Sequence, residues 1–354
     1  MNIRAMYFSG TGTTKKMTAA IADELAKALA AEDFPGGKLS GETAGGGNDQ
    51  KGSLEDIAGT ENARSETIQA ETRDVNFSNE SSRVEASEVP AAASGKPLAA
   101  GTETWQRAAD IDFTPPAARR GNYQFTSDDL VVFGVPVIAG RVPNVLLKFL
   151  DTIQGGDALA VPVVLYGNRN FDDALIELRN ILQDHGFHAI AAAAFIGEHS
   201  FSRILGAGRP DSSDMELSRD FARKLAGKIR RHGAAALWKA APVPVDGHDP
   251  IRPYYKPQDR NGNHINILKV KPKLHAELCS GCGICTTVCP MGSIIQEKSG
   301  QAPAPITGIC IKCCGCVKKC PNGAFYFDDP GFLYHKEELE DMYAAIRREP
   351  DLYL

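Results

Sequence analysis

Apolar and polar positions fall into two alternating patterns along this chain. Residues 3–8, apolar but for Arg4, predict a strand, and just after it Met17, Ile21, Leu25 and Leu29 recur every four positions, the stripe of one helix face. Beyond position 105 the alternation resumes. Residues 109–113 predict a short strand, and 130–135 and 161–166 are continuous apolar runs of the kind buried on both faces of a parallel sheet. Helical periods follow over 142–153 and 172–185, then a strand over 187–196 and a helix over 213–231. This series predicts an α/β fold: a five-stranded parallel sheet sandwiched by helices, with ligands at the C-terminal ends of the strands.

The pattern is interrupted over 36–105, which holds ten glycines and only two aromatic residues, Phe77 and Trp105. Such a tract buries too little apolar surface to offset its ordering entropy. With twelve acids against six bases it carries −6, more than the −5 of the whole chain, so the rest is near neutral. We expect an acidic, low-complexity, disordered insertion at 35–105, between halves of one domain at 1–34 and 106–236. Five prolines, Pro242, Pro244, Pro250, Pro253 and Pro257, mark a stiff linker at 237–264. A cysteine domain at 265–330 and a helical extension at 331–354 complete the expected layout.

No apolar run approaches the ~20 residues of a membrane-spanning helix, and a negative net charge with no basic helix or aromatic-basic surface gives no support for a nucleic-acid partner. The N-terminus lacks the pattern of a signal peptide, so the expectation is a reducing cytoplasm. All nine cysteines lie between Cys279 and Cys320. In that compartment such density points to metal or redox chemistry, not cross-links.

Ser9, Gly10, Thr11, Gly12, Thr13 and Thr14 stand between the first strand and the first helix, where free helix N–H groups can hold a phosphate. A dinucleotide fingerprint requires glycine where Lys15 stands, and a Walker loop requires glycine where Thr14 stands. Four hydroxyls on a turn loosened by two glycines suit instead one terminal phosphate monoester, which points to FMN. This loop resembles the phosphate loop of the flavodoxin family, and the resemblance extends over 1–34 and 106–236. It implies a flavodoxin-like fold and two further flavin-flanking loops. By position these carry Pro136, Gly140, Arg141 and Val142 in the first, and Gly167, Asn168, Arg169 and Phe171 in the second. The Trp/Tyr pair of ordinary flavodoxins is missing from them. His199, just past the fifth strand, is a weak candidate for an acid or base, against the commoner reading of a hydrogen-bonded structural histidine.

Cys279, Cys282, Cys285 and Cys289, followed by Pro290, form a C-x2-C-x2-C-x3-C-P run, and Cys310, Cys313, Cys316 and Cys320 with Pro321 repeat it at a constant offset of 31. The fourth cysteine of such a run ligates the other cluster. One [4Fe-4S] cluster then takes Cys279, Cys282, Cys285 and Cys320, and the second takes Cys310, Cys313, Cys316 and Cys289. Two zinc sites are the alternative, because paired C-x2-C elements also bind zinc. The stretch 265–327 resembles bacterial two-cluster ferredoxins. Cys314, opposite Gly283 in the repeat, is a spare thiol, and Lys312, Lys318 and Lys319 are either solvated or a basic rim for a partner.

The combination resembles flavodoxin–ferredoxin fusions of the EFR1 family. The resemblance implies an electron-transport flavo-iron–sulfur protein of an anaerobe, relaying electrons between two [4Fe-4S] clusters, FMN and a redox partner protein. The alternatives are a flavin-dependent reductase of a small organic substrate, with His199 or Arg169 acting at the flavin, and a cluster-based sensor without flavin.

Overall fold

A computed structural model describes residues 1–31 and 104–354. The insertion expected at 35–105 therefore lies, but for its last two residues, outside the described residues. The chain runs β1 (Asn2–Tyr7), α1 (Thr13–Ala30), β2 (Gln106–Arg107), β3 (Ile111–Asp112), β4 (Asp129–Pro136), α2 (Asn144–Leu150), β5 (Leu159–Tyr166), α3 (Ala174–Asp184), β6 (His188–Ala189), β7 (Ala192–Ile196), α4 (Ser212–His232) and α5 (Ala234–Leu237). The cysteine unit follows with β8 (Lys273–Leu274), α6 (Ile284–Val288), α7 (Gly315–Lys318) and β9 (Phe325–Tyr326), then α8 (Pro330–Tyr343) and β10 (Asp351–Tyr353).

β2 and β3 are two short pieces that both pair with β1, and β6 and β7 both pair with β5, all parallel. Counting each pair as one strand, the order is 2-1-3-4-5, the doubly wound order of flavodoxin-like sheets. Side chains sort the layers. In β4, Leu130 and Val132 face the core of α1, α4 and α5, while Val131, Phe133 and Val135 face the core of α2 and α3. On α1 the stripe Met17, Ile21 and Leu25 is fully buried, each side chain contributing about 1.5–3 kcal/mol. α4 starts at a capping box, Asp211 accepting from Asp214 N–H at 3.1 Å, and ends in Arg230, Arg231 and His232, which suit the helix dipole.

Two elements depart from the sequence reading. The strand expected over 187–196 is broken between β6 and β7. Ala160 stands opposite Ala189 but Val163 opposite Ala193, so one extra residue is inserted. The cause is Pro162. Ile190 N–H donates to Ala160 O at 3.0 Å, and a regular ladder would return a bond from residue 162 to Ile190 O, but proline has no N–H. Lys228 of α4 fills the gap, its Nζ donating to Ile190 O at 2.8 Å.

The tail is the second. A helix was expected over 337–348, yet α8 ends at Tyr343 and β10 pairs antiparallel with β7, Leu352 opposite Ala193. The five parallel positions thus gain a sixth, antiparallel strand that closes one sheet edge. Among the described residues, no helix is long and apolar enough to cross a membrane.

Candidate functional site

Because the strands are parallel, the loops after β1, β4, β5 and β7 meet at one edge of the sheet. Gly12, at φ 107°, turns the chain into α1, whose first turn carries no acid. Ser9 Oγ accepts from Lys15 N–H at 3.1 Å, so it shapes the turn from behind. Gly134 lets α1 lie close on β4: a Cβ there would stand 2.1 Å from Thr18 Oγ1 and 3.1 Å from Thr14 Cγ2.

A cavity of about 520 Å³ opens at this edge, within the range of small-molecule and cofactor sites. Of the residues singled out in the sequence, Gly10, Thr11, Thr13, Thr14, Pro136, Gly140, Gly167, Arg169 and His199 line it. The other six are spent elsewhere. Ser9 and Gly12 form the turn itself. Arg141 pairs with Glu177 through two nitrogens, at 2.7 and 2.6 Å, and covers the Tyr254 ring, while buried Val142 donates its N–H to the same Glu177. Asn168 caps the end of α8, donating to Tyr343 O at 2.9 Å and Ile346 O at 2.7 Å. Phe171 is in the core beside Tyr166.

Other lining residues were not assigned to this cavity from the sequence. Tyr255 comes from the proline-rich segment, which is pinned along the sheet unit: its own N–H donates to Ala139 O at 2.9 Å, and neighbouring Arg252 grips buried Asp173. His335 and Leu339 come from α8, and Ile309, Cys310, Lys312 and Cys313 from the cysteine unit. The aromatic pair Tyr254 and Tyr255 among prolines was the one available hint.

The cysteine unit covers this edge. A Cβ on Gly10 would stand 3.0 Å from Cys313 Cβ and 3.3 Å from its sulfur, so a larger residue would crowd the contact. Arg119 donates to Pro290 O at 2.6 Å. Lys318 forms an ion pair with Glu198 and donates to His199 O at 2.7 Å and Ser202 O at 2.8 Å. Lys312 is buried, its Nζ donating to Leu268 O and Cys310 O. The suggestion that these lysines are solvated or form a basic rim therefore fails for Lys312 and Lys318, which hold the protein together; Lys319 alone is exposed.

The 31-residue repeat is copied in the backbone. Gly281 and Lys312 share a left-handed φ, as do Gly283 and Cys314, and Gly292 and Gly323. Cys289 Sγ accepts from Ser293 N–H at 3.4 Å, and Cys320 Sγ from Ala324 N–H at 3.3 Å. Two small cavities lie inside this frame. One is lined by Cys279, Cys282, Cys285 and Cys320, the other by Cys289, Cys310, Cys313 and Cys316 with Cys314 beside them. Each fourth cysteine has crossed to the other run's triplet.

Burial pushes the Cys313 thiol up to about 11 and raises Cys310, Cys316 and Cys285 as well. Such a set binds as thiolates only around a cationic centre that offsets the cost of their charge. His199 is held neutral: burial, then Lys318, His335 and Arg169, push it down to about 3, and its Nδ1 accepts from Phe201 N–H at 3.2 Å.

Residues 278–325 match the family model of the 4Fe-4S dicluster domain. Among solved structures, a flavodoxin from the domain Archaea aligns with 65% of this chain and 99% of its own, at 11% identity and a TM-score of 0.31. Comparison with curated proteins returned no match. The chain thus joins a mostly parallel α/β sheet in the doubly wound 2-1-3-4-5 order to a small C-terminal unit that matches a 4Fe-4S dicluster domain.

Proposed function

We propose that the protein is a cytoplasmic electron carrier holding FMN in the large cavity and a [4Fe-4S] cluster in each small one, exchanging electrons with a redox partner protein, and that it belongs with the EFR1-family fusions. One observation carries this reading: Cys310 and Cys313 line both the large cavity and one of the small ones, so a single wall serves both. A flavin supplies two-electron capacity and each cubane one, so the pair can convert between single and paired transfer.

The chain's own residues support each assignment. Thr11, Thr13 and Thr14 with the free amides of α1 offer donors to a phosphate monoester. In this reading Cys289, Cys310, Cys313 and Cys316, which line the small cavity that shares a wall with the large one, form the inner set, and Cys279, Cys282, Cys285 and Cys320, with Cys282 exposed, form the outer set that would meet a partner.

Thr11→Asp tests the flavin assignment apart from the clusters. A carboxylate against the phosphate site should abolish FMN binding or weaken it about a hundredfold, with iron and acid-labile sulfide unchanged at about eight each. Wild-type FMN affinity in this variant would remove the flavin from this loop, and zinc in place of iron would overturn the cluster assignment. Turnover of NAD(P)H with a small acceptor, without a partner protein, would favour the reductase alternative.

A further inference from the structure

α8 brings one histidine to the wall of the large cavity. His335 is 3% exposed, and its Nδ1 is buried without a hydrogen-bond partner among the described residues. The carboxylate of Glu338 is 3.9 Å from that nitrogen, beyond hydrogen-bonding range. The ring is fixed on two sides by other lining residues: Tyr255 stacks on it at 5.9 Å and 29°, and Phe201 meets it edge-on at 6.4 Å and 73°. Arg169 covers the Tyr255 ring at 4.6 Å, its charge already paired with Asp172.

Buried polar atoms in folded proteins are nearly always paired, so each exception calls for an explanation. Only one other such side-chain atom occurs among the described residues, Trp238 Nε1, and that ring packs against the α1 and α4 core away from this cavity. A phenylalanine would fill the His335 position, between two aromatic rings, without leaving a nitrogen unpaired.

We propose that His335 is a cofactor-contacting residue, its neutral imidazole completing its hydrogen bonding on a heteroatom of the bound flavin, so that the tail helix helps set the flavin's affinity and potential. This rests on the flavin reading of the cavity. Burial and the charge of Arg169 push the imidazole down to about 4, so it presents one donor and one acceptor nitrogen at neutral pH. A hydrogen bond to a flavin atom whose electron density changes on reduction differs in strength between redox states, and so moves the potential as well as the affinity.

The test uses the full-length holoprotein and its His335→Phe and His335→Gln variants. FMN affinity is followed by fluorescence titration, the flavin midpoint potential by spectroelectrochemistry, and folding by iron and sulfide content. His335→Phe should weaken FMN binding about tenfold and shift the potential, with iron content unchanged, while His335→Gln, which still offers a donor and an acceptor, should stay within about threefold. His335→Leu replaces the phenylalanine variant if that does not fold. Wild-type affinity and potential in the apolar variant would overturn the inference while leaving the flavin reading intact. A wild-type protein that binds no FMN would overturn both.

Discussion

Pro162 and Lys228 show how one residue's missing atom is made good by another far away in the chain. Lys228 Nζ is the group that meets the Ile190 carbonyl where proline denies the ladder a donor. Lys228→Met should therefore cost about 1–2 kcal/mol, read by denaturant unfolding, since it strands a carbonyl at the sheet. Pro162→Val in that background should recover part of the loss by restoring an N–H; no recovery would mean that the ladder gap is not the reason for the contact.

At the same scale, His335 makes stability depend on pH. Its folded pKa, about 4, lies below the ordinary 6.5, so the unfolded chain binds the extra proton between those values and stability falls as pH drops through that window. The loss at pH 5 is on the order of 2 kcal/mol. His335→Phe should flatten the fall in melting temperature between pH 7 and pH 5, and an unchanged slope would assign it to other groups.

Among elements, β10 is the one whose role comes wholly from its partner. A three-residue strand has no stability alone; it persists because β7 offers an open edge of alanines and Tyr353 Oη donates to Asp246 at 2.9 Å. Removing residues 351–354 should lower the melting temperature by about 2–8 °C and, by uncovering that edge, produce self-association that grows with concentration in light scattering. A truncated chain that stays monomeric with an unchanged melting point would make β10 dispensable. The first turn of α1 is closer to the opposite case: Gly12 at its left-handed φ and Ser9 Oγ, which accepts from Lys15 N–H, shape the turn from neighbouring residues.

For the molecule as a whole, the path of the chain matters most. It leaves the sheet unit after α5, builds the cysteine unit, and returns through α8 and β10 to the sheet edge, so the cysteine unit is held at both ends. Lys318 ties the two across the contact with one carboxylate and two carbonyls as acceptors. Lys318→Met should leave iron and sulfide at wild-type values but raise amide exchange about tenfold or more over residues 198–202 and 315–320, as a charged hydrogen bond worth about 1.5–3 kcal/mol is lost. Unchanged exchange there would show that the units are held by their remaining contacts.

Much of this was legible in the residues. Continuous apolar runs separated by four-residue periods specified a covered parallel sheet, because burial on both faces leaves no polar alternation to misread. Spacing specified the cysteine runs, since two-residue gaps and a 31-residue repeat are local properties of the chain. The same locality explains why the hydroxyl loop could be placed at the start of the first helix. Tertiary structure alone decided what packs across distance: that Arg141, Asn168 and Phe171 turn away from the cavity to pair, cap and pack; that Lys312 and Lys318 point inward; and that Tyr255 and His335, hundreds of residues from the phosphate loop, close the same cavity. No sequence period records such contacts, because they follow from where the folded units meet and not from the order of neighbouring residues.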